Sequence, residues 1–131
     1  MSINYADTQG FSLIELLIAL AIVGIVMAVA LPSYEAYKHR AVQTEAMATL
    51  QVLAGLQERL RLTQGEYQSA ATLLALRQLP AMVARHYRFA VELGVQGSRF
   101  LMTLTPSQQN TAYPALSVDQ AGRRTPAEAW Y

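Results

Sequence analysis

Residues 11–31 form an almost uninterrupted apolar run, and this run constrains the fold more than any other feature of the sequence. Only Ser12, Glu15 and Gly24 interrupt it. As an α-helix, a segment of this length spans about 32 Å at roughly 1.5 Å per residue, close to the roughly 30 Å hydrocarbon core of a bilayer. The chain is 53% hydrophobic, and a disproportionate share of these residues lies in the run. Its length of 131 residues suits one domain. The run therefore predicts a membrane-spanning helix.

A cleavable secretory signal peptide is the alternative interpretation of this run. Its apolar region would be about 7–15 residues long and would end at a small-residue cleavage site. The present run is longer and the helical pattern continues beyond it, so a retained span is favoured. Its orientation stays open. The residues before the span include Asp7 but no Lys or Arg, whereas Lys38 and Arg40 follow the span. The positive-inside rule therefore favours a cytoplasmic location for the C-terminal side.

Glu15 is the anomaly within the run, one turn from its start. An acidic side chain costs about 2.5–3.5 kcal/mol at the centre of a bilayer and less near the interface. One interpretation is a functional carboxylate that needs a partner inside the membrane. The other is a carboxylate that reaches the headgroups from the first helical turn, where the helix dipole also favours a negative charge. The residue alone does not decide between them.

The residues around Glu15 carry a resemblance to a known family. The sequence Gly10-Phe11-Ser12-Leu13-Ile14-Glu15, followed by the long apolar run, closely resembles the class III signal of type IV pilins and their relatives. In that family a dedicated prepilin peptidase cleaves after the glycine and methylates the new N-terminal residue. The resemblance covers about the first 55 residues. It implies that residues 1–10 are a leader, that cleavage falls between Gly10 and Phe11, and that Phe11 becomes N-methylated.

The same resemblance gives Glu15 a role in assembly, as the fifth residue of the mature chain. Cleavage creates an α-amino group on Phe11, whose ordinary pKa lies near 8, and methylation keeps its charge. Glu15 of one subunit would then pair with the ammonium of a neighbour within an apolar bundle, where an unpaired charge is costly. The implied partners are other pilins, the prepilin peptidase and an inner-membrane assembly platform. The implied location is the bacterial inner membrane, with the C-terminal part periplasmic, and then the extracellular pilus.

The helical pattern continues from residue 32 to residue 64, giving one helix over residues 12–64 with Gly65 as its stop. Gly24 and Pro32 weaken its middle, because glycine lowers helix propensity and proline removes a backbone hydrogen bond. An ordinary membrane kink explains both residues, whereas the resemblance implies a joint that deforms on assembly. Three- and four-residue spacing predicts an amphipathic second half whose apolar stripe needs a cover: Val42, Ala46, Leu50, Leu53, Leu56 and Leu60.

Residues 65–131 supply that cover as a small antiparallel sheet. A short helix is predicted over residues 70–79, ended by Pro80, and strands over residues 86–93, 100–105 and 116–119. Residues 94–97 read as a turn. The prediction is an α+β fold of one domain, with the long N-terminal helix packed against a three- or four-stranded sheet, as in the type IV pilin fold.

This C-terminal half resembles minor type IV pilins more weakly, through Gln57-Glu58-Arg59, Gly65-Glu66-Tyr67 and the segment from Leu116 to Pro126. That branch usually has a cysteine pair flanking its last strand, and the corresponding positions here are Tyr113 and Ala129. Without such a bridge, which contributes about 2–4 kcal/mol, a looser C-terminal loop held by packing of Tyr113 and Trp130 is expected.

The remaining residues point to no enzyme, cofactor or metal site. Absence of cysteine excludes thiol nucleophiles and thiolate ligands, and two histidines are too few for a histidine-built metal centre. Ser117 and Asp119 share a strand with no histidine near in sequence, so a hydrolase is disfavoured. A net charge of +1 favours neither a nucleic-acid binder nor an acidic partner. Two short basic clusters leave nucleic acid open as a partner, although solvated surface is the favoured interpretation: Arg85-His86-Arg88 and Arg123-Arg124.

The sequence therefore predicts a minor type IV pilin, a structural subunit without catalytic residues. Two alternatives remain. A type II secretion pseudopilin shares the N-terminal signal, and the stretch from Glu58 to Tyr67 favours the pilin over it. A single-pass anchored periplasmic binding protein that does not polymerise would keep residues 1–10.

Overall fold

The computed structural model describes residues 10–108 and 112–130. Its first element, helix α1, is Leu13–Gln64, one residue shorter at its start than predicted. The chain divides into two compact units, Met1–Tyr37 and Lys38–Tyr131, so α1 contributes to both. The helix stops at Gly65, as predicted, because Gly65 has φ +87° and its N–H donates to the Arg61 carbonyl at 2.8 Å. A positive φ after the last turn favours glycine.

One stripe of α1 forms the helical side of the core in the second unit. The predicted stripe is confirmed at five positions that are buried: Val42, Ala46, Leu50, Leu53 and Leu60. The sixth position, Leu56, is half-buried and packs against the same core, and Gln57 is the fully buried residue of that turn. A spacing of four and then three residues from Leu53 keeps Gln57 and Leu60 on the same helical face.

Two short helices follow. Helix α2 is Ala70–Leu76, three residues shorter than predicted, and Ser69 caps it by accepting the Thr72 N–H at its Oγ. Helix α3, Ala81–His86, was not predicted. Pro80 immediately precedes it, and proline suits a helix start because its fixed φ is helical and its missing N–H is not needed there. The sequence pattern treated Pro80 only as a stop.

A four-stranded antiparallel sheet completes the second unit, in the order β1-β2-β3-β4. Its strands are β1 Tyr87–Leu93, β2 Phe100–Pro106, β3 Leu116–Asp119 and the two-residue β4 Arg124–Thr125. The three predicted strands are confirmed to within a residue, whereas β4 is too short for its pattern to be read. One face is buried in the same core as the α1 stripe, through Tyr87, Phe100, Met102, Leu104, Leu116 and Val118.

The turn between β1 and β2 is a 3-10 turn, Val95–Gly97, at the predicted position. Gly97 has φ +63°, and a Cβ there would lie 3.0 Å from the Glu66 Cβ and 3.1 Å from the Tyr67 carbonyl oxygen. The Tyr67 N–H donates to the Gly97 carbonyl at 3.0 Å. Glycine therefore lets the hairpin approach the segment that follows α1.

A polar clamp joins α1 to that same segment. The Gln57 Nε2 donates to the Gln68 carbonyl at 2.7 Å, and the Gln68 N–H donates to the Gln57 Oε1 at 2.8 Å. Tyr67 packs edge-on against Phe100, with ring centroids 4.8 Å apart. Its hydroxyl donates to Glu58 at 2.7 Å, and burial followed by this hydrogen bond raises the pKa of Tyr67. The oxygen and the nitrogen of the buried Gln57 amide are thus each paired with the backbone of Gln68.

We expect Gln57→Leu to lower the free energy of unfolding of the second unit by about 2 kcal/mol. The leucine fits an apolar core, but it leaves both polar groups of Gln68 without their partner. Thermal unfolding of the full chain in detergent, followed by near-ultraviolet circular dichroism, measures the change. The matched control is Gln51→Leu on the exposed side of α1, which we expect to stay within about 0.5 kcal/mol of the parent. Equal effects of the two variants would contradict the clamp.

Candidate functional site

The first unit presents an apolar helical surface that its own residues do not cover. Every large apolar side chain of α1 up to Leu31 is exposed, from 49% at Val23 to 77% at Leu13. The helix contains a stretch long and apolar enough to cross a membrane, none of which is buried within the chain. A surface of this kind needs a lipid or protein cover, because exposed apolar area is unfavourable in water.

The predicted processing and assembly residues lie together at the start of this helix. Gly10 and Phe11 precede it in non-helical backbone, and Phe11 is 84% exposed. The first helical hydrogen bond runs from the Leu16 N–H to the Ser12 carbonyl at 3.1 Å. Glu15 is exposed in the first turn, and no hydrogen bond or ion pair joins its carboxylate to another described residue. Residues 1–9, most of the predicted leader, lie outside the described residues.

The two residues predicted to weaken the helix lie within a continuous helix. Helix α1 runs through both Gly24 and Pro32, and the hydroxyl of Ser33 donates to the Val29 carbonyl at 3.3 Å just after the proline. A Cβ at Gly24 would meet no atom within 4 Å, so contacts within the chain do not require glycine there. Their proposed role in flexibility stays a prediction.

The first basic cluster is divided by the fold. Arg85 lies in the last turn of α3 and Arg88 lies on the outer face of β1, both exposed. His86 instead lies against Tyr113, with ring centroids 5.0 Å apart. The cluster therefore contributes two separate guanidinium groups to the surface rather than one contiguous patch of three side chains.

The second basic cluster forms a concave corner with the single tryptophan. The Arg124 guanidinium lies over the Trp130 ring, 5.2 Å from its centroid. These two residues, with Gly122, Arg123 and Ala127, line a pocket of about 300 Å³. Two guanidinium groups beside an indole ring are chemically suited to phosphate oxygens and to planar rings.

Arg123 is also bound by the turn between β3 and β4. Its Nε donates to the Asp119 Oδ2 at 2.7 Å, and its N–H and that of Ala121 donate to Oδ1, each at 2.9 Å. Desolvation works to raise the pKa of Asp119, but hydrogen bonds from Arg123 and Ala121 outweigh it and hold this pKa below its usual value. Asp119 is therefore a turn-forming carboxylate rather than a catalytic one.

Aromatic contacts and a hydrogen bond fasten the C-terminal segment near Tyr113 and Ala129. The Tyr113 ring packs at a tilt against His39 and His86, each with a centroid separation of 5.0 Å, and lies 5.7 Å from Tyr87. Burial and then the neighbouring Tyr113 raise the pKa of Tyr87 to about 12. The Gln43 Nε2 donates to the Ala129 carbonyl at 3.0 Å. Tyr113 and Trp130 are both partly buried against the core, in line with the expected packing.

The described residues contain no group of three His, Asp or Glu side chains placed to hold a metal ion. Ser117 bonds to the Thr125 hydroxyl, while both histidines stack on Tyr113, so the fold brings no imidazole to Ser117. Sequence reasoning missed the stack of Arg124 on Trp130 and the contacts of Gln43 and Gln57. The proximity of Arg124 and Trp130 in sequence is the one signal that was available for these contacts.

Two protein-family models match the chain in adjoining segments. The model described as a type IV minor pilin ComP, DNA uptake sequence receptor, matches residues 32–114. The model of the prokaryotic N-terminal methylation motif matches residues 6–31, which include Gly10, Phe11 and Glu15. Together the two matches cover all of α1, α2, α3, β1 and β2, and they end just before β3.

Individual relatives agree with these models. A type IV major pilin protein PilE1 of Neisseria gonorrhoeae is 31% identical over 116 residues, 88% of this chain and 63% of that protein. A fimbrial protein of Pseudomonas aeruginosa is 41% identical over 64 residues, 49% of this chain and 42% of that protein. The chain therefore spans less than two thirds of the length of either relative. A solved type IV pilin from Shewanella oneidensis shares the fold, with a TM-score of 0.52 and 24% identity over 69% of this chain and 92% of that one.

Proposed function

Because this chain belongs to the type IV pilin family, a family of structural subunits, we propose that it is a minor subunit of a type IV pilus. In this proposal the chain is cleaved between Gly10 and Phe11, methylated on Phe11, and assembled through the apolar half of α1. The pilin assignment rests on the family; minor rather than major status is the finer step. The description of the model that matches residues 32–114 supports it.

Glu15 carries the proposal. Its carboxylate stands in the first turn of an uncovered apolar helix, four residues after the predicted new N-terminus, and no described residue pairs with it. A charge placed there is unfavourable for an isolated subunit in a membrane. The ammonium of Phe11 on a neighbouring subunit supplies the missing opposite charge, because cleavage creates it at the same level of the helix bundle. Assembly thereby satisfies both groups and fixes the axial register between subunits.

The proposed partners and location follow from that chemistry. Before assembly the apolar half of α1 lies in the inner membrane, and other pilins replace the lipid around it in the filament. The prepilin peptidase acts at Gly10 from the membrane, and an assembly platform delivers the processed subunit. We place the second unit in the periplasm before assembly and on the outside of the pilus afterwards, in keeping with the N-terminal methylation motif that matches residues 6–31.

Binding of nucleic acid is a second candidate function. The matching family model describes a DNA uptake sequence receptor, and the corner formed by Arg123, Arg124 and Trp130 offers guanidinium groups for phosphates beside an aromatic ring. The model match ends at residue 114, before this corner, so the chemistry of the corner is an independent support.

Removal of the leader is the most direct test of the pilin proposal. The chain recovered from its native membrane is expected to begin at N-methylated Phe11, measured by intact mass and N-terminal sequencing. A chain that keeps residues 1–10, while the peptidase processes other substrates in the same cells, contradicts the pilin proposal. The anchored periplasmic protein then becomes the working hypothesis.

Glu15→Ala is expected to abolish incorporation into filaments while membrane insertion and cleavage at Gly10 stay normal. The reason is that the variant spans the membrane more easily but leaves the neighbour's ammonium unpaired. Sheared filaments and membrane fractions, probed with an antibody to the second unit, give both amounts. Glu45→Ala, an exposed glutamate on the second half of α1, is the control and should assemble as the parent does. Normal assembly of Glu15→Ala would refute the pairing.

Duplex DNA is expected to quench the fluorescence of Trp130, which is the one tryptophan of the chain. Arg124→Gln should weaken binding and lower the salt slope of the affinity by about 1, because one phosphate contact is lost. Arg77→Gln, which does not line this corner, is the control. A gel shift without any change in Trp130 emission would place DNA elsewhere. The lack of any binding at low salt would remove this candidate function.

A further inference from the structure

The two edges of the sheet differ in how they are protected. The β4 edge is two residues long and is followed by Pro126, a combination that blocks further strand pairing. The β1 edge is seven residues long, Tyr87–Leu93, and contains neither proline nor lysine. Natural sheets usually blunt an open edge with such residues or with a covering element. The β1 edge is therefore the one suited to pairing.

The register of the hairpin shows which backbone groups point to this edge. The Gly94 N–H donates to the Arg99 carbonyl and the Ser107 N–H donates to the His86 carbonyl, each at 2.9 Å. Even-numbered positions of β1 therefore bond to β2, and the backbone groups of Phe89, Val91 and Leu93 point away from it.

Neighbouring elements leave these outward groups unbonded. Helices α2 and α3 pack near β1, but within the described residues only the Tyr87 N–H is engaged, by the Val83 carbonyl of α3. Burial of the inner-face side chains also decreases along β1: Tyr87 is buried, Phe89 and Val91 are half-buried, and Leu93 is 42% exposed.

The charges of β1 select one way to pair this edge with itself. In an antiparallel pair with a two-fold axis at Ala90, Arg88 of one copy lies opposite Glu92 of the other, and the converse pair forms as well. The outward backbone groups of Phe89 then meet those of Val91 in the other copy. Shifting the axis to Arg88 or to Glu92 places like charges opposite each other, and axes at Phe89 or Val91 pair neither charge with its opposite. Both side chains are exposed, and no described residue forms an ion pair with either.

We propose that the β1 edge binds the β1 edge of a second copy of this chain, in the register centred on Ala90. The contact joins two four-stranded sheets into one of eight strands, with two cross-strand ion pairs on its outer face. Such a two-fold contact closes on two copies, so it does not propagate along a filament. It goes beyond the proposed pilus function and links two subunits through their second units.

Cysteine cross-linking tests the register directly, because the chain has no cysteine of its own. Ala90 lies on the proposed axis in a non-hydrogen-bonded pair, where Cα atoms are about 4.5 Å apart, within the usual disulfide range. Ala90→Cys in the full chain, in detergent micelles under mild oxidation, should therefore form a covalent dimer. The matched control is Thr103→Cys on the same sheet face, which pairs with Ala90 in β2 and lies about 15 Å from its mate in the dimer.

Charge reversal provides the second arm of the test. Adding Arg88→Glu to Ala90→Cys places two like-charged pairs across the axis and should slow cross-linking roughly tenfold. Adding Glu92→Arg to that variant restores opposite charges and should return the rate to within about twofold of Ala90→Cys. Equal cross-linking of the Ala90→Cys and Thr103→Cys variants, or a double reversal no faster than the single one, would overturn the proposal. Filaments are absent from micelles, so this outcome is independent of whether the chain is a pilus subunit.

Discussion

The uncovered apolar half of α1 governs the rest of this molecule. Burying a large aliphatic side chain is worth roughly 1.5–3 kcal/mol, so leaving this many in water costs more than the about 5–15 kcal/mol by which a domain is stable. The chain supplies no cover for this surface among its described residues. A bilayer and a bundle of like helices are the two environments that satisfy it, and a pilin passes from the first to the second. Under the proposed assembly, Glu15 distinguishes the two environments, since there the bundle offers its carboxylate an opposite charge on Phe11 of a neighbouring subunit.

The second unit, in contrast, buries the apolar stripe of its part of α1. Its stripe from Val42 to Leu60 is buried under the sheet, and a polar side chain, Gln57, lies near the C-terminal end of this stripe. That choice has a local cost that two hydrogen bonds to Gln68 offset. The benefit is positional, because an apolar residue would allow the segment after α1 to slide whereas the amide pairs with one backbone position. The approach of Gly97 to Tyr67 then sets the hairpin against that same segment.

Local patterns were sufficient to predict α1, its stop at Gly65 and the three longer strands, because each of these depends on periodicity or on a single backbone requirement. Helix α3 was missed because Pro80 serves both as an end and as a start, and the pattern alone does not separate the two. Strand β4 is defined by pairing with β3 rather than by its own residues. For the site, Glu15 stands out in the sequence because an acid in an apolar run is a local anomaly, and its role in assembly stays a prediction. The contact of Gln43 with Ala129 joins positions far apart in the chain, and no local pattern encodes it.

Tyr113 and Gln43 hold the C-terminal segment without a disulfide, so folding of the second unit does not require oxidising conditions. A C-terminal segment closed by a disulfide needs an oxidant, so its fold depends on the redox conditions of its compartment. Here the closing contacts are tilted aromatic rings and an amide hydrogen bond, and the sequence contains no cysteine to be oxidised. The second unit can therefore reach its final fold without an oxidant, and a reducing environment leaves these contacts unchanged.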